Sequence, residues 1–405
     1  MPSPPSREAG FRATTAVGDN RRAPAVVVAE RLWPSAPDGT GKRLARLHER
    51  ASGSSTRTVC GLDASGNLRC VDHTRPTTLA DVAARADVSV ATASRVLNGS
   101  PHKVSQALAE KVRQVAAELR YAPNVQAQGL ARNTSSVVAM LLHDVTDPYF
   151  AQIAQGALLE AGTRRVQVVI AETGIDPDQE REQLLSLRGF RPRATIVVGS
   201  RTTQSDAEER LGTVLATTRK SGAGVVSIGQ PGLPGACIHP QNHAGAGLLA
   251  AHLVELGHRK FTVVSGPESL KVVAERREGF AASLPDDATV EVINTDFSRD
   301  GGYEAGRRFC QQDSGSTAVF VSSDVMAGGF CTALREGGRS IPADVSVVGF
   351  DDVPVAADLY PPLTTVRLPL SQMGRQALRL ALDGPFDSVM DISGELIVRG
   401  STGPA

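Results

Sequence analysis

Residues 78–98 read Thr-Leu-Ala-Asp-Val-Ala-Ala-Arg-Ala-Asp-Val-Ser-Val-Ala-Thr-Ala-Ser-Arg-Val-Leu-Asn. Leu79, Val82, Ala83 and Ala86 fall at i, i+3, i+4 and i+7, which predicts one apolar stripe along a short helix. Asp87-Val88-Ser89 interrupts that period, and the Ser89 hydroxyl is suited to cap a second helix. The second stripe is Ala93, Val96 and Leu97, so Val90, Ala91, Ser94 and Arg95 face the other way. Two short helices joined by a tight turn, the second with small and basic residues outward, have the form of a helix-turn-helix that lies in a DNA major groove. The same pattern also fits a plain helical hairpin, and the chain beyond it decides between the two.

Asn98-Gly99 suits the left-handed end of a helix. After the loop from Ser100 to Val104, Ser105 begins a third helix with apolar positions Leu108, Val112, Val115, Ala116 and Leu119. It stops before Tyr121-Ala122-Pro123, because a residue preceding proline avoids helical angles. Residues 124–132 come next, a short segment with one large apolar side chain, Leu130. Asp81-Val82-Ala83, the run Val88 to Asn98, Tyr121-x-Pro123-Asn124 and a Leu seven residues after that Pro form a specific set. Together they resemble the DNA-binding headpiece and hinge of the LacI/GalR family of transcriptional regulators. The resemblance implies DNA contacts from Thr78, Val90, Ala91, Thr92, Ser94, Arg95 and Asn98 on the headpiece. It implies further contacts from Asn124, Gln126, Ala127 and Leu130 on a hinge helix over 123–135, with Leu130 as a wedge in the minor groove. Gln126 stands where relatives tend to carry a small apolar residue, which loosens the expected pairing of two hinges.

With 405 residues, the chain has room for a headpiece and two larger lobes at roughly 150 residues per domain. Its 43 basic and 43 acidic residues cancel overall but not locally. Residues 76–136 carry Arg85, Arg95, Lys103, Lys111, Arg113, Arg120 and Arg132 against Asp81, Asp87, Glu110 and Glu118. The chain beyond 137 is acidic on balance, which suits a protein that presents only its front to phosphates. The five cysteines are scattered without metal-ligand spacing and are read as free thiols of a cytoplasmic protein. No run of apolar residues is long enough for a membrane span, and no secretory signal pattern is present. Residues 1–75 are rich in Pro, Gly, Ser, Thr and Arg. They are expected to be disordered, to lie upstream of the true start, or to act as a basic arm on DNA. Cys60 and Cys70 flank a short hairpin pattern turning at Ala64-Ser65-Gly66.

From Val137 onward, short β-type runs alternate with helical stretches, which predicts parallel sheets covered by helices on both faces. The runs are too many for one sheet and fit two. Asp147-Pro148-Tyr149-Phe150, Glu275-Arg276-Arg277-Glu278-Gly279-Phe280, Ser323-Asp324-Val325-Met326-Ala327 and the run Ile341 to Asp352 extend the family resemblance to about residue 395. It implies an all-α helix-turn-helix headpiece (76–122) and the hinge, then an α/β two-lobe core of periplasmic-binding-protein type over 136–395. That core has two doubly wound parallel sheets, and a short tail over 396–405 ends the chain. Open α/β sheets bind ligands at the carboxyl ends of their strands. Arg276 and Asp351 are the first candidates to hold an effector's polar groups, with Tyr149, Phe150 and Phe297 as apolar walls and Asp324 beside them. For each aromatic the alternative is core packing, and for Arg276 it is a surface ion pair with Glu275 or Glu278. Two departures from the family weaken any transfer of ligand identity. Gln241-Asn242 stands where Asp-Asn is frequent, and Val272 where some sugar-binding members carry a polar side chain.

The expected function is ligand-controlled binding to a near-palindromic operator, by a homodimer that responds to a sugar or nucleoside-like effector. The tail is too short and too Gly/Pro-rich for the heptads that support tetramers. A transport solute-binding protein would share the core but lack the helix-turn-helix. Nucleophile elbows, phosphate loops and zinc motifs are absent, so neither enzyme nor cofactor is expected. His143 is a lone histidine near the expected cleft.

Overall fold

The computed structural model describes residues 58–62, 68–72, 77–97, 104–122, 135–312 and 315–405. Met1–Pro76 and Thr77–Ala405 form separate units. In the first, β1 (Thr58–Leu62) and β2 (Leu68–Asp72) pair antiparallel, in a register that sets Cys60 opposite Cys70. The rest of the 1–75 extension lies outside the described residues.

The second unit begins with three helices: α1 (Leu79–Ala86), α2 (Val90–Leu97) and α3 (Gln106–Glu118). A capping box starts α1, in which Thr78 Oγ1 accepts from the Asp81 amide while Asp81 accepts from the Thr78 amide at 2.8 Å. It ends at Asp87, whose left-handed φ of 56° sets the turn. Ser89 Oγ accepts from the Thr92 amide at 3.1 Å, as its position before α2 suggests. Val82, Ala83, Ala86, Ala93, Val96, Val112, Val115 and Ala116 form the shared core. Helices of 8, 8 and 13 residues are marginal alone, so this small-residue packing is what holds them.

The larger part alternates strand and helix. β3 (Val137–Leu142), α4 (Pro148–Arg164), β4 (Gln167–Glu172), α5 (Pro177–Leu187), β5 (Ala194–Val198), α6 (Ser205–Lys220), β6 (Gly224–Ile228) and β7 (Ala236–Pro240) build the first lobe. The second contains α7 (Asn242–Glu255), β8 (Lys260–Ser265), α8 (Lys271–Ala282), β9 (Thr289–Asn294), α9 (Arg299–Gln311), β10 (Ala318–Val321), α10 (Asp324–Glu336), β11 (Ser346–Val348), α11 (Pro354–Asp358) and β12 (Thr365–Arg367). Then α12 (Leu370–Asp383) and β13 (Val389–Ile392) return to the first lobe, and β14 (Glu395–Ile397) returns to the second. The sheets are parallel, ordered β13-β7-β6-β5-β3-β4 and β11-β10-β8-β9, with β12 and β14 as a separate antiparallel pair. The chain therefore passes between lobes after β7, after β12 and between β13 and β14.

The two-sheet α/β class matches the sequence expectation, and two elements carry weak local patterns. The polar run Asp178-Gln179-Glu180-Arg181-Glu182-Gln183 masks the stripe of α5, and β7 is only five residues closed by Pro240. The segment read as a tail over 396–405 is packed on the second lobe, with residues 396–397 as part of β14. Ser401 is 1% exposed and its Oγ accepts from the Thr364 amide at 2.8 Å, while the Ala405 amide reaches Leu256 O at 3.0 Å. Gly and Pro removed any periodic signal there, yet the backbone polar groups still find partners.

Helices α4 and α12 pack almost backbone to backbone on the first sheet, because Gly156 faces Ser371 and Gly374 faces Ile153. A Cβ at Gly374 would run into the Ile153 carbonyl. Gly374→Ala should therefore separate the helices and cost about 1–3 kcal/mol, read as a lower urea midpoint at unchanged m-value.

Candidate functional site

On α2, Val90 is 50% exposed, and Ala91 and Arg95 are exposed too, while Ala93 and Val96 point into the three-helix core. Thr92 and Ser94 are half-buried, and Thr92 Oγ1 lies 2.8 Å from Ser89 Oγ. The Thr78 hydroxyl is engaged with Asp81 at 2.7 Å in the cap of α1. The remaining expected DNA contacts, Asn98, Asn124, Gln126, Ala127 and Leu130, lie outside the described residues.

The second site is a cleft of about 270 Å³ between the lobes. It brings together five of the six residues read as effector contacts: Tyr149, Phe150, Arg276, Phe297 and Asp351. Asp147 caps α4 by accepting from the Tyr149 amide at 2.8 Å, and Pro148 occupies the first turn. That start swings Tyr149 and Phe150 into the cleft, their rings edge to face at 5.0 Å. Phe297 comes from the loop after β9 in the second lobe.

Arg276 is the organising side chain. It is 3% exposed, and its guanidinium lies 3.8 Å from the Phe350 ring centroid. Nη2 donates to Asp351 Oδ1 at 2.7 Å, Nε to Asn242 Oδ1 at 3.0 Å, and Nη1 to Ser322 O. The alternative of a surface ion pair with Glu275 or Glu278 does not occur. Glu275 instead accepts from Gln230 Nε2 at 2.9 Å and Asn242 Nδ2 at 3.0 Å. Asn242 thus serves Arg276 and Glu275 together, a role that the neighbouring Gln241 obscured. Asp351 has φ 104° and Asp352 φ 54°, two successive left-handed residues without glycine. Such a turn costs of order 1–3 kcal/mol per residue and persists only when its surroundings fix it. The Asp351 amide donates to Val366 O at 2.8 Å, and Asp352 pairs with Arg367 and Arg399, each at 2.7 Å.

Asp324 is the expected contact that the structure sets elsewhere. It is fully buried behind the cleft, its Oδ1 accepting from Thr365 Oγ1 at 2.7 Å and its Oδ2 from the Val353 amide at 2.9 Å. Burial pushes its carboxyl well up, with the Asp351 charge adding to that. One oxygen is committed to β12 and the other to the residue that follows the 351–352 turn.

Several lining residues were not singled out as ligand contacts from sequence: Asp144, Asp147, Glu172, Ser200, Gln230 and Asn242. The strand-end position of Asp147 was the available signal. Burial raises Asp147 to about 6, and the neighbouring Asp351 and Asp144 carboxylates add to the rise. Burial also lowers His143, which lines the cleft with its ring 5.4 Å from Phe150, to about 4, so it is neutral at pH 7. Gly199 has φ 145°, and a Cβ there would strike the His143 ring.

A capped helix-turn-helix with an exposed Arg on its second helix, in one chain with a two-lobed α/β core around a polar cleft, defines a ligand-responsive DNA-binding regulator. Residues 78–124 match the bacterial regulatory proteins of the lacI family, and residues 250–402 match a periplasmic binding protein-like domain. The ribose operon repressor of Halalkalibacterium halodurans is 31% identical over 332 residues, covering 80% of this chain and 97% of that protein. The transcriptional regulator GalS of Salmonella typhimurium is 33% identical, covering 76% and 89%. A crystal structure of the lac repressor dimer bound to operator and the anti-inducer ONPF superposes with a TM-score of 0.70 at 25% identity, covering 81% of this chain and all of that one. The chain belongs to the LacI family of transcriptional regulators, which are DNA-binding proteins and not enzymes. Among the described residues, no helix is long and apolar enough to cross a membrane.

Two outcomes test the cleft. Arg276→Met leaves Asp351 buried without its partner and should destabilise the fold by about 3–5 kcal/mol, read by urea denaturation. Asp147→Asn keeps the cap, since Asn caps as well as Asp. The folded pKa of Asp147 lies above its ordinary value, so its ionised form opposes folding, and that penalty grows as pH rises from about 4 through 6. The variant should be more stable than the parent at pH 7, by on the order of 1 kcal/mol, with the difference vanishing near pH 4.

Proposed function

We propose that the protein is a repressor that binds a near-palindromic operator as a homodimer, and that a small polar effector in the interlobe cleft controls its operator affinity. The observation that carries the DNA half of this reading is the exposed face of α2, where Val90, Ala91 and Arg95 stand clear of the core. Arg95 is positioned by type to read guanine bidentately, while Val90 and Ala91 offer apolar contact to a thymine methyl. From the sequence alone, Leu130 of the hinge is assigned the wedge in the minor groove. The lac repressor dimer on its operator supports the two-fold arrangement. So do the exposed Ile170 on edge strand β4 and Val290 and Val292 on edge strand β9, apolar residues that a second copy would cover.

The effector is a sugar or a nucleoside-like molecule held between Tyr149 and Phe150 on one wall and Arg276, Asp351 and Phe297 on the other. Names among the relatives, such as the ribose operon repressor, support that class. Binding there bears on the angle between the lobes, because the backbone of Asp351 bridges Arg367 where the chain crosses back to the first lobe. A cytoplasmic location accords with action on DNA.

Arg95→Ala should weaken operator binding and relax its sequence preference by about 1–3 kcal/mol, measured by gel shift at fixed salt with the operator upstream of the adjacent genes. Unchanged affinity and preference would remove α2 from base reading.

A further inference from the structure

The open charge of the cleft is one-sided. Its one basic residue is spent, because four of the five N–H bonds of Arg276 go to Asp351, Asn242 and Ser322. Gln230 Oε1 accepts from the Arg201 amide at 2.8 Å and one N–H of Nε2 goes to Glu275, which leaves a single N–H of this amide. Asn242 bonds Pro240, Glu275 and Arg276. The charged groups that stay open are all acceptors. Asp147 uses Oδ1 on the Tyr149 amide, Asp144 uses Oδ1 on Thr146, and Glu172 uses Oε2 on the Val145 amide at 3.2 Å. The second oxygen of each carboxylate has no protein partner among the described residues. The side-chain donors left to a ligand are the Tyr149 hydroxyl, one ring nitrogen of the neutral His143, the last N–H of Arg276 and the second N–H of Gln230, of which only Arg276 is charged and it is already paired with Asp351.

From this we infer that the effector is a hydroxyl-rich, donor-rich compound carrying no phosphate or carboxylate group, and that the cleft rejects anionic derivatives of the same compound. The inference rests on the cleft being the effector site. A sugar hydroxyl both donates and accepts, so it can give its hydrogen to Asp144, Asp147 or Glu172 in charge-assisted bonds. A phosphate or carboxylate only accepts. It would meet three partly open carboxylates, with no free cation to offset the repulsion, and would leave their oxygens unbonded. The raised Asp147 pKa accords with this: burial is its main cause, and the Asp351 and Asp144 carboxylates each act on it more strongly than the Arg276 charge that opposes them.

The test pairs each neutral compound with its anionic counterpart on the full chain at pH 7.5, by thermal shift and then calorimetry. D-ribose, D-galactose, cellobiose and cytidine are set against ribose 5-phosphate, galactose 6-phosphate, cellobionate and cytidine 5′-monophosphate. At least one neutral member is expected to raise the melting temperature and to bind at least a hundredfold more tightly than its anionic partner. In the double variant Asp147→Asn, Glu172→Gln that ratio should fall at least tenfold, because the neutral amides bring donors without charge. An anionic member that binds as tightly as its neutral partner, or anionic members binding alone, overturns the inference and leaves the cleft as an effector site. Silence from every member at 50 mM overturns both. An unchanged ratio in the double variant, with its fold confirmed by its melting curve, would also overturn it.

Discussion

The buried ion pair between Arg276 and Asp351 fixes the positions of most of what surrounds the cleft. Each side chain is at most 6% exposed, and the charges approach to 2.7 Å. Removing two such ions from water costs several kcal/mol each unless every polar atom finds a partner. That demand places the N-terminus of α7 through Asn242, the end of β10 through Ser322 O, and the turn after β11 through Asp351. The Phe350 ring beneath the guanidinium closes the remaining face. Shifting any one of these elements would leave a charge buried without its partner.

The same pair reaches both lobes. Glu275, the residue before Arg276, is held by Gln230 from the first lobe. Beside it, backbone bonds join Thr203 to Ser269 at 2.8 Å and Lys271 to Arg201 at 2.9 Å, and the Val272 amide bonds Ser200 Oγ at 3.0 Å. Arg201 is itself 1% exposed and paired with Glu180 at 3.0 Å. Thus a buried arginine anchors each wall, and the loops between them carry the contact across the cleft. On the opposite flank, Asp352 grips Arg367 and Arg399, next to the segments where the chain changes lobes. The strained turn at 351–352 therefore offers one carboxylate to the cleft and the other to the crossing strands. A ligand that alters the balance at Asp351 acts on a backbone already tied to interlobe geometry, which is the physical basis for a two-state response.

Much of the architecture was legible because it is governed by local physics. The stripes at Leu79, Val82, Ala83, Ala86 and at Ala93, Val96, Leu97 lie within single helices, and the caps at Thr78 and Ser89 act within three residues. The buried strands β3, β5, β6 and β8 are apolar runs bounded by turn residues, so their ends were clear. Elements without such patterns were hidden. The polar α5 and the Pro-ended β7 gave weak signals, and the docked residues 396–405 gave none, since their stability comes from distant partners such as Thr364 and Leu256.

The candidate cleft divides in the same way. Tyr149, Phe150, Arg276, Phe297 and Asp351 could be named in advance because the family resemblance marks them, Tyr149, Phe150 and Asp351 also by their place after strands. Asp324 carried an equally good motif, yet it faces Thr365 and the Val353 amide behind the site. Gln230 and Glu172 carried no mark and line the cleft, as does Asn242, whose family position was discounted because Gln241 precedes it. The sequence by itself determined a helix-turn-helix and a two-lobed α/β core, because helix stripes, caps and strand alternation depend on neighbours a few residues apart. Only the tertiary structure decided which carboxylates keep an oxygen open to the cleft and which are consumed. That depends on hydrogen bonds between residues 27 to 75 positions apart, such as Val145 to Glu172 and Arg276 to Asp351, and on a left-handed turn that no local pattern encodes.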